Sequence, residues 1–141
     1  TVVAGLSGKV DEAAVLASQR GGRAIRLAVG GAFHSPFMEE AASLFLDEAK
    51  KLNFSKPSIP LYSNVTARPY EGDAAEMLSR QIKSPMLWQK TIENMMADGF
   101  DTFVEAGCGE TLVGLIKRIS KDARAFSATN KSEIDALRGA L

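Results

Sequence analysis

The stretch "FVEAGCGETLVGLIKRI" (Phe103 to Ile119) decides the fold class. It reads as a strand over residues 102–105, a tight glycine-rich turn at "GCGE", and a helix through Ile119. A strand that turns directly into a helix is half of a β-α-β unit. The second half follows, as a strand over residues 125–129 and a short helix over 132–141.

The same alternation extends toward the N-terminus. "SP" at Ser84-Pro85 marks the start of a helix that runs to about Ala97 and is stopped by Gly99. A helix is expected over residues 74–82 and a short strand over 59–63, behind a loop bracketed by Pro57 and Pro60. Ser35 is a natural N-cap and Pro36 suits the first helical position. Glu39 and Glu40 then favour the positive end of that helix. Met38, Ala41, Ala42, Phe45, Ala49 and Leu52 form its apolar stripe. Residues 1–6 and 24–29 read as strands around a helix over 10–20, with Val10, Ala13, Ala14 and Ala17 on one face and Gly21-Gly22 as its stop. Strands alternating with helices predict an α/β protein with a mostly parallel sheet.

Composition narrows the function classes. Apolar residues make up 45% and charged residues 24% of the chain, as in an ordinary globular protein. Seventeen basic residues balance seventeen acidic ones, so no overall field favours nucleic acid or an anionic membrane. The apolar runs are too short for a transmembrane helix. One cysteine, Cys108, cannot pair internally, which predicts a reducing, cytoplasmic setting. No leader is visible. The chain starts "TVVAGLSG", without methionine and inside a strand-like pattern, as an internal piece would.

His34 is the only histidine. At a junction into a capped helix, beside Gly30-Gly31, it is placed to face a cleft, and imidazole suits a general base near neutral pH. Position alone favours a structural histidine. A base also needs a nucleophile, and no G-x-S-x-G elbow is present. "GLSGK" (Gly5 to Lys9) only resembles one and reads as a turn. "GCGETLVG" fails the dinucleotide fingerprint, because position 112 is leucine, and it fails the phosphate-loop pattern as well. No Cys/His cluster is spaced for a metal. "NVT" (Asn64 to Thr66) is a formal glycosylation sequon without meaning in a cytoplasmic protein; Asn64 at a strand end can instead shape a pocket. Lys117-Arg118 is a basic pair that is either simply solvated or meets an acidic partner.

Four blocks in register carry a family resemblance: "GAFHSPFM" (31–38), "IPLYSNVTARP" (59–69), "RQIKSPMLWQKTIENM" (80–95) and "FVEAGCGETLVGLIKRI" (103–119). Together they resemble the malonyl-CoA:acyl-carrier-protein transacylases of bacterial fatty-acid synthesis, and the likeness covers about the C-terminal half of that family's protein. The resemblance implies an α/β-hydrolase-like large subdomain plus half of a ferredoxin-like small subdomain. Residues 1–30 would be the second half of the small subdomain, and residues 31–141 the C-terminal part of the large one.

The resemblance also implies a function. Malonyl would pass from CoA to the phosphopantetheine thiol of acyl-carrier protein through a serine ester, by ping-pong transfer, with malonyl-CoA as substrate and no permanently bound cofactor. His34 would be the base and the backbone carbonyl of Gln81 its orienter. Phe33 would fill the space that an α-methyl group needs and so favour malonyl, with Asn64 as a second substrate-binding residue. Lys117 and Arg118 would help dock the carrier protein. An N-terminal half carrying G-H-S-x-G would supply the serine, so this chain alone is predicted to be inactive. Two positions depart from the pattern: the family usually has "GPG" at 107–109, and commonly lysine at Glu110. An acyltransferase domain of a polyketide or multifunctional fatty-acid synthase is the alternative within the class. A non-catalytic carrier-protein-binding fragment is the alternative outside it.

Overall fold

The computed structural model describes residues 1–140. They form two compact units. The first comprises Thr1–Val65 and Pro69–Met86, the second Thr66–Arg68 and the chain from Leu87 onward. Helices and a parallel sheet are both present, so the chain is α/β. Among the described residues, no helix is long and apolar enough to cross a membrane.

The second unit is built on the stretch that decides the fold class. Strand β1 (Thr102–Ala106) leads through the Gly-Cys-Gly turn into helix α5 (Thr111–Ile119), and strand β2 (Arg124–Ala128) returns parallel to β1. The register runs from Thr102 opposite Arg124 to Ala106 opposite Ala128. Phe103, Val113, Ile116, Ala123 and Ala125 are buried together with Ile92 of helix α4 (Trp88–Ala97), and Trp88, Met95, Met96 and Ile119 pack against them. Val113 and Ile116 are one turn apart, which aims both at the sheet.

Gly99 ends α4 as the sequence predicts. Its φ is +99°, its N–H donates to Met96 O at 3.1 Å, and Phe100 N–H donates to Met95 O at 3.0 Å. That pair of bonds is a Schellman cap, and an L-residue in the left-handed position would cost about 1–2 kcal/mol. Gly21 closes helix α1 (Ser7–Gln19) in the same way, with N–H bonds from Gly21 to Ser18 O and from Gly22 to Ala17 O.

Helix α6 (Lys131–Ala140) starts one residue before the predicted 132; residue 141 lies outside the described residues. Its start is a reciprocal cap. Asn130 Oδ1 accepts the Glu133 N–H at 3.1 Å, and the Glu133 carboxylate accepts the Thr129 N–H at 2.8 Å.

In the first unit, helix α2 (Glu39–Ala49) packs on helix α3 (Ala74–Lys83). The contact uses mostly small residues: Ala42 and Ala49 are buried on α2, and Ala75 and Ser79, with the larger Met77, on α3. Ser79 Oγ–H donates to Ala42 O at 2.8 Å across the contact. Asp73 caps α3 by accepting the Glu76 N–H at 3.2 Å.

Several expectations are corrected. Residues 1–6, 24–29 and 59–63 are not strands; in this region the described pairing is a single bridge between Tyr62 and Pro69. Val2, Val3, Leu6, Ile25, Leu27 and Val29 are exposed. Apolar β-branched sequence makes a strand only against a neighbouring strand, and none of the described residues supplies one here. The N-terminal β-α-β unit is therefore not formed.

Helix α1 begins at Ser7, not Val10, so Ser7-Gly8-Lys9 of "GLSGK" lies in its first turn rather than in a loop. Ala13, expected on its apolar face, is exposed. Pro36 opens a 3-10 turn (Pro36–Met38), and α2 proper starts three residues later. Of the expected α2 stripe, Ala41, Phe45 and Leu52 are exposed, because α3 covers only the line through Ala42 and Ala49. Helix α4 begins at Trp88 rather than at Ser84-Pro85. Proline forces the residue before it out of the helical region, and Ser84 is extended at φ −106°, ψ 150°. The Ser-Pro pair therefore ends α3 instead of starting α4.

Candidate active site

The end of α3 exposes two backbone acceptors. In a helix, the carbonyl of residue i bonds the N–H of residue i+4. Gln81 O would need the N–H of residue 85, which is proline and has none. Ile82 O would need helix continuing past Ser84, which is extended. Both carbonyls are left open, as the last turn of a helix leaves them.

His34 takes both. Its backbone N–H donates to Ile82 O at 3.1 Å, and its ring Nδ1 lies 2.9 Å from Gln81 O. A carbonyl oxygen only accepts, so the bond places the proton on Nδ1 and leaves Nε2 as the free acceptor. Gln81 Nε2 also lies 3.4 Å from Nδ1. The two contacts ask for opposite tautomers, and the shorter one, to the obligatory acceptor, decides. The ring is half-buried.

Among the described residues, His34 is one of two non-glycine residues in the left-handed region, at φ +60°. Such a residue costs on the order of 1–3 kcal/mol and persists only when its surroundings over-determine it. Here the two carbonyls of α3 hold the backbone and the ring of the same residue. Ser35 adds a third tie. It is buried, and its hydroxyl donates to Ala32 O at 2.5 Å rather than capping the helix that follows.

Phe33, just before the histidine, is 52% exposed. Its ring lies over Gly31, where an added Cβ would meet Phe33 Cε2 at 3.3 Å and Cζ at 3.4 Å. The side chain at position 31 thus sets how far the ring can fold back.

The structure brings His34 and Gln81 together. Asn64 is half-buried in the turn after Tyr62, and no described hydrogen bond joins it to His34 or Gln81. Lys117 and Arg118 are exposed in the last turn of α5, where cations complement the helix dipole. Cys108 is exposed in its turn. Among the described residues, no group of three or more His, Cys, Asp or Glu could hold a metal ion. Sequence reading alone missed the Ile82 carbonyl and the actual bond of Ser35. The signal for the first was present, since Pro85 forces Ser84 out of the helical region and so ends α3 before residue 86 can donate to Ile82 O.

The chain matches the acyl transferase domain family over residues 1–134. It is 36% identical, over 99% of its length, to the malonyl CoA-acyl carrier protein transacylase of Escherichia coli K12, and spans 45% of that protein. It is 43% identical, over 71% of its length, to the polyketide biosynthesis malonyl CoA-acyl carrier protein transacylase PksC of Bacillus subtilis, and spans 35% of it. The solved acyl-carrier-protein S-malonyltransferase of Bartonella henselae superposes with a TM-score of 0.88 at 35% identity, covering 95% of this chain and 44% of that one. The chain thus spans less than half the length of the relatives it matches. A family match that runs from the first residue to Ile134, joined to this agreement in fold, shows that the chain belongs to the acyl transferase domain family.

Proposed function

We propose that this chain is the histidine-bearing, C-terminal part of a malonyl-CoA:acyl-carrier-protein S-malonyltransferase acting by ping-pong transfer. The observation that carries the reading is the 2.9 Å contact between His34 Nδ1 and Gln81 O. It leaves Nε2 free to accept a proton, which is what a serine nucleophile requires of its base. The serine, in a G-H-S-x-G elbow, would come from an N-terminal part not in this chain.

In the first half-reaction, Nε2 takes the serine hydroxyl proton as the serine oxygen attacks the malonyl thioester carbonyl. The tetrahedral intermediate collapses, the C–S bond breaks, and the imidazolium returns its proton to the departing CoA thiolate. In the second half, Nε2 takes the proton of the carrier protein's phosphopantetheine thiol. The sulfur attacks the serine ester, the C–O bond breaks, and the proton returns to the serine oxygen. Both steps are acyl transfers and need no redox partner. A neutral carbonyl stabilises imidazolium less than a buried carboxylate does, yet still fixes tautomer and ring plane.

In this reading, residues 1–30 belong to a ferredoxin-like small subdomain and residues 31–141 to an α/β-hydrolase-like large one, in a cytoplasmic enzyme. Phe33 and Asn64 line the acyl side of the site, Lys117 and Arg118 meet the acidic carrier protein, and the chain alone is inactive. The similarity to a relative named for polyketide biosynthesis supports a second reading within the class, malonyl loading in polyketide rather than fatty-acid synthesis. The test is reconstitution with the serine-bearing part and radiolabelled malonyl-CoA. Malonyl-serine should form with His34 and fail to form with His34→Ala; equal loading by both would overturn the base assignment.

A further inference from the structure

We propose that Ser35 is a positioning residue for His34, acting by closing the loop that holds the histidine in its left-handed conformation. The inference rests on reading His34 as the base. In sequence, Ser35 stands where a helix cap stands, before Pro36. In the structure it has the extended backbone of a cap, φ −135° and ψ 165°, but its side chain makes no capping bond. The hydroxyl turns back and donates to Ala32 O at 2.5 Å. That bond spans the same i+3 to i gap that a backbone N–H closes in a β-turn. The residue it encloses next to itself is His34, at φ +60°.

Three ties therefore fix one residue. The N–H of His34 is held by Ile82 O and the ring by Gln81 O. The chain direction just after His34 is held by the Ser35 hydroxyl. Only the first two touch the histidine. Without the third, the backbone can relax from the left-handed region toward ordinary φ, and relaxation swings the Cα–Cβ bond away from the end of α3. The ring then loses Gln81 O, and with it the reason for the proton to stay on Nδ1. Burial of Ser35, at 7% exposure, keeps water from replacing the bond.

A cap and a loop clasp make different predictions. Loss of a cap weakens the helix that follows. Loss of the clasp changes the histidine tautomer. His34 is the only histidine, so its ring nitrogens give unambiguous 15N resonances in this chain. The neutral wild-type ring should show the Nδ1–H tautomer, with a slowly exchanging Nδ1 proton. In Ser35→Ala the tautomer should shift toward Nε2–H and the slow exchange should be lost, while Ser35→Thr, which keeps the hydroxyl, should restore both. If the alanine protein does not hold its fold, Ser35→Cys fills the same space with a poor donor and should show the same shift. An unchanged tautomer and exchange rate in a folded Ser35→Ala or Ser35→Cys protein overturns the inference. The reading it rests on is tested separately in the reconstituted enzyme. If His34→Ala still forms malonyl-serine at the wild-type rate, the base assignment fails, whatever the tautomer of Ser35→Ala.

Discussion

Pro85 stands at the one position whose N–H would otherwise occupy the carbonyl of Gln81, and that carbonyl instead meets His34 Nδ1 at 2.9 Å. The proline makes the acceptor available twice over. It has no N–H to compete, and it pushes Ser84 out of the helix. Pro85→Ala restores a competing donor and permits α3 to run on. The expected result is loss of the Nδ1–H tautomer of His34 and, in the reconstituted enzyme, a fall in acyl-serine formation of about fivefold, the scale of one hydrogen bond of roughly 1 kcal/mol. Unchanged 15N shifts of the imidazole would refute this.

Removing the imidazole has a larger effect than disorienting it. A positioned general base contributes about 10²–10⁴-fold, so His34→Ala should lower the single-turnover rate of malonyl-serine formation by that factor. His34→Gln, which keeps a polar side chain without a proton-accepting ring nitrogen, should be no better.

Acyl selection should respond at two positions, Phe33 and Gly31. Phe33→Ser opens the space of a phenyl ring and should raise the use of methylmalonyl-CoA relative to malonyl-CoA. One methylene in a pocket is worth about 1–3 kcal/mol, so the change in the ratio of kcat/KM should lie between roughly tenfold and two-hundredfold. Gly31→Ala places a methyl group against the ring, 3.3 Å from Cε2. It should move the same ratio in the presence of Phe33 and leave it unmoved in Phe33→Ser. Competition assays with both thioesters measure this directly.

The start of α6 should be sensitive to acid. Glu133 has its pKa lowered from the ordinary 4.5, first by the Thr129 N–H, then by the Thr129 and Ser127 hydroxyls and the Asn130 amide, against a smaller opposing effect of burial. A depressed carboxyl favours the folded state while it is ionised. Its contribution is complete above about pH 4.5 and is lost as pH falls through the lower folded value. Protection factors of the amides across residues 129–134, corrected for the intrinsic exchange rate, should therefore fall on acidification below that pH. In Glu133→Gln the same amides should lose that pH dependence.

The exposed pair on α5 carries a test of its own. If Lys117 and Arg118 meet an acidic carrier protein, replacing both with glutamate should slow association, and the difference from wild type should shrink with added salt. A salt-independent effect would exclude electrostatic docking.

The sequence by itself determined the strand-turn-helix-strand of the second unit. Phe103, Val113 and Ile116 are close in the chain, and a strand, a glycine turn and a helix of the right period have one way to bury them against the returning strand. It also determined the ends of α1 and α4, because Gly21 and Gly99 supply left-handed positions that other residues resist. The resemblance named His34 and Gln81 as partners. The distance between them, and the bond from the His34 N–H to the Ile82 carbonyl beside it, follow only from how the end of α3 meets the loop before α2.

Tertiary structure alone decided the remainder. The segments at 1–6 and 24–29 have strand composition, but a strand is a relation between two backbones and none of the described residues completes it. Ser35 has the identity and position of a helix cap, yet its hydroxyl accepts no N–H of the following turn and instead donates back to Ala32 O once the chain turns at His34. Composition and spacing report what a residue can bond. Which acceptor is within reach is set by the fold.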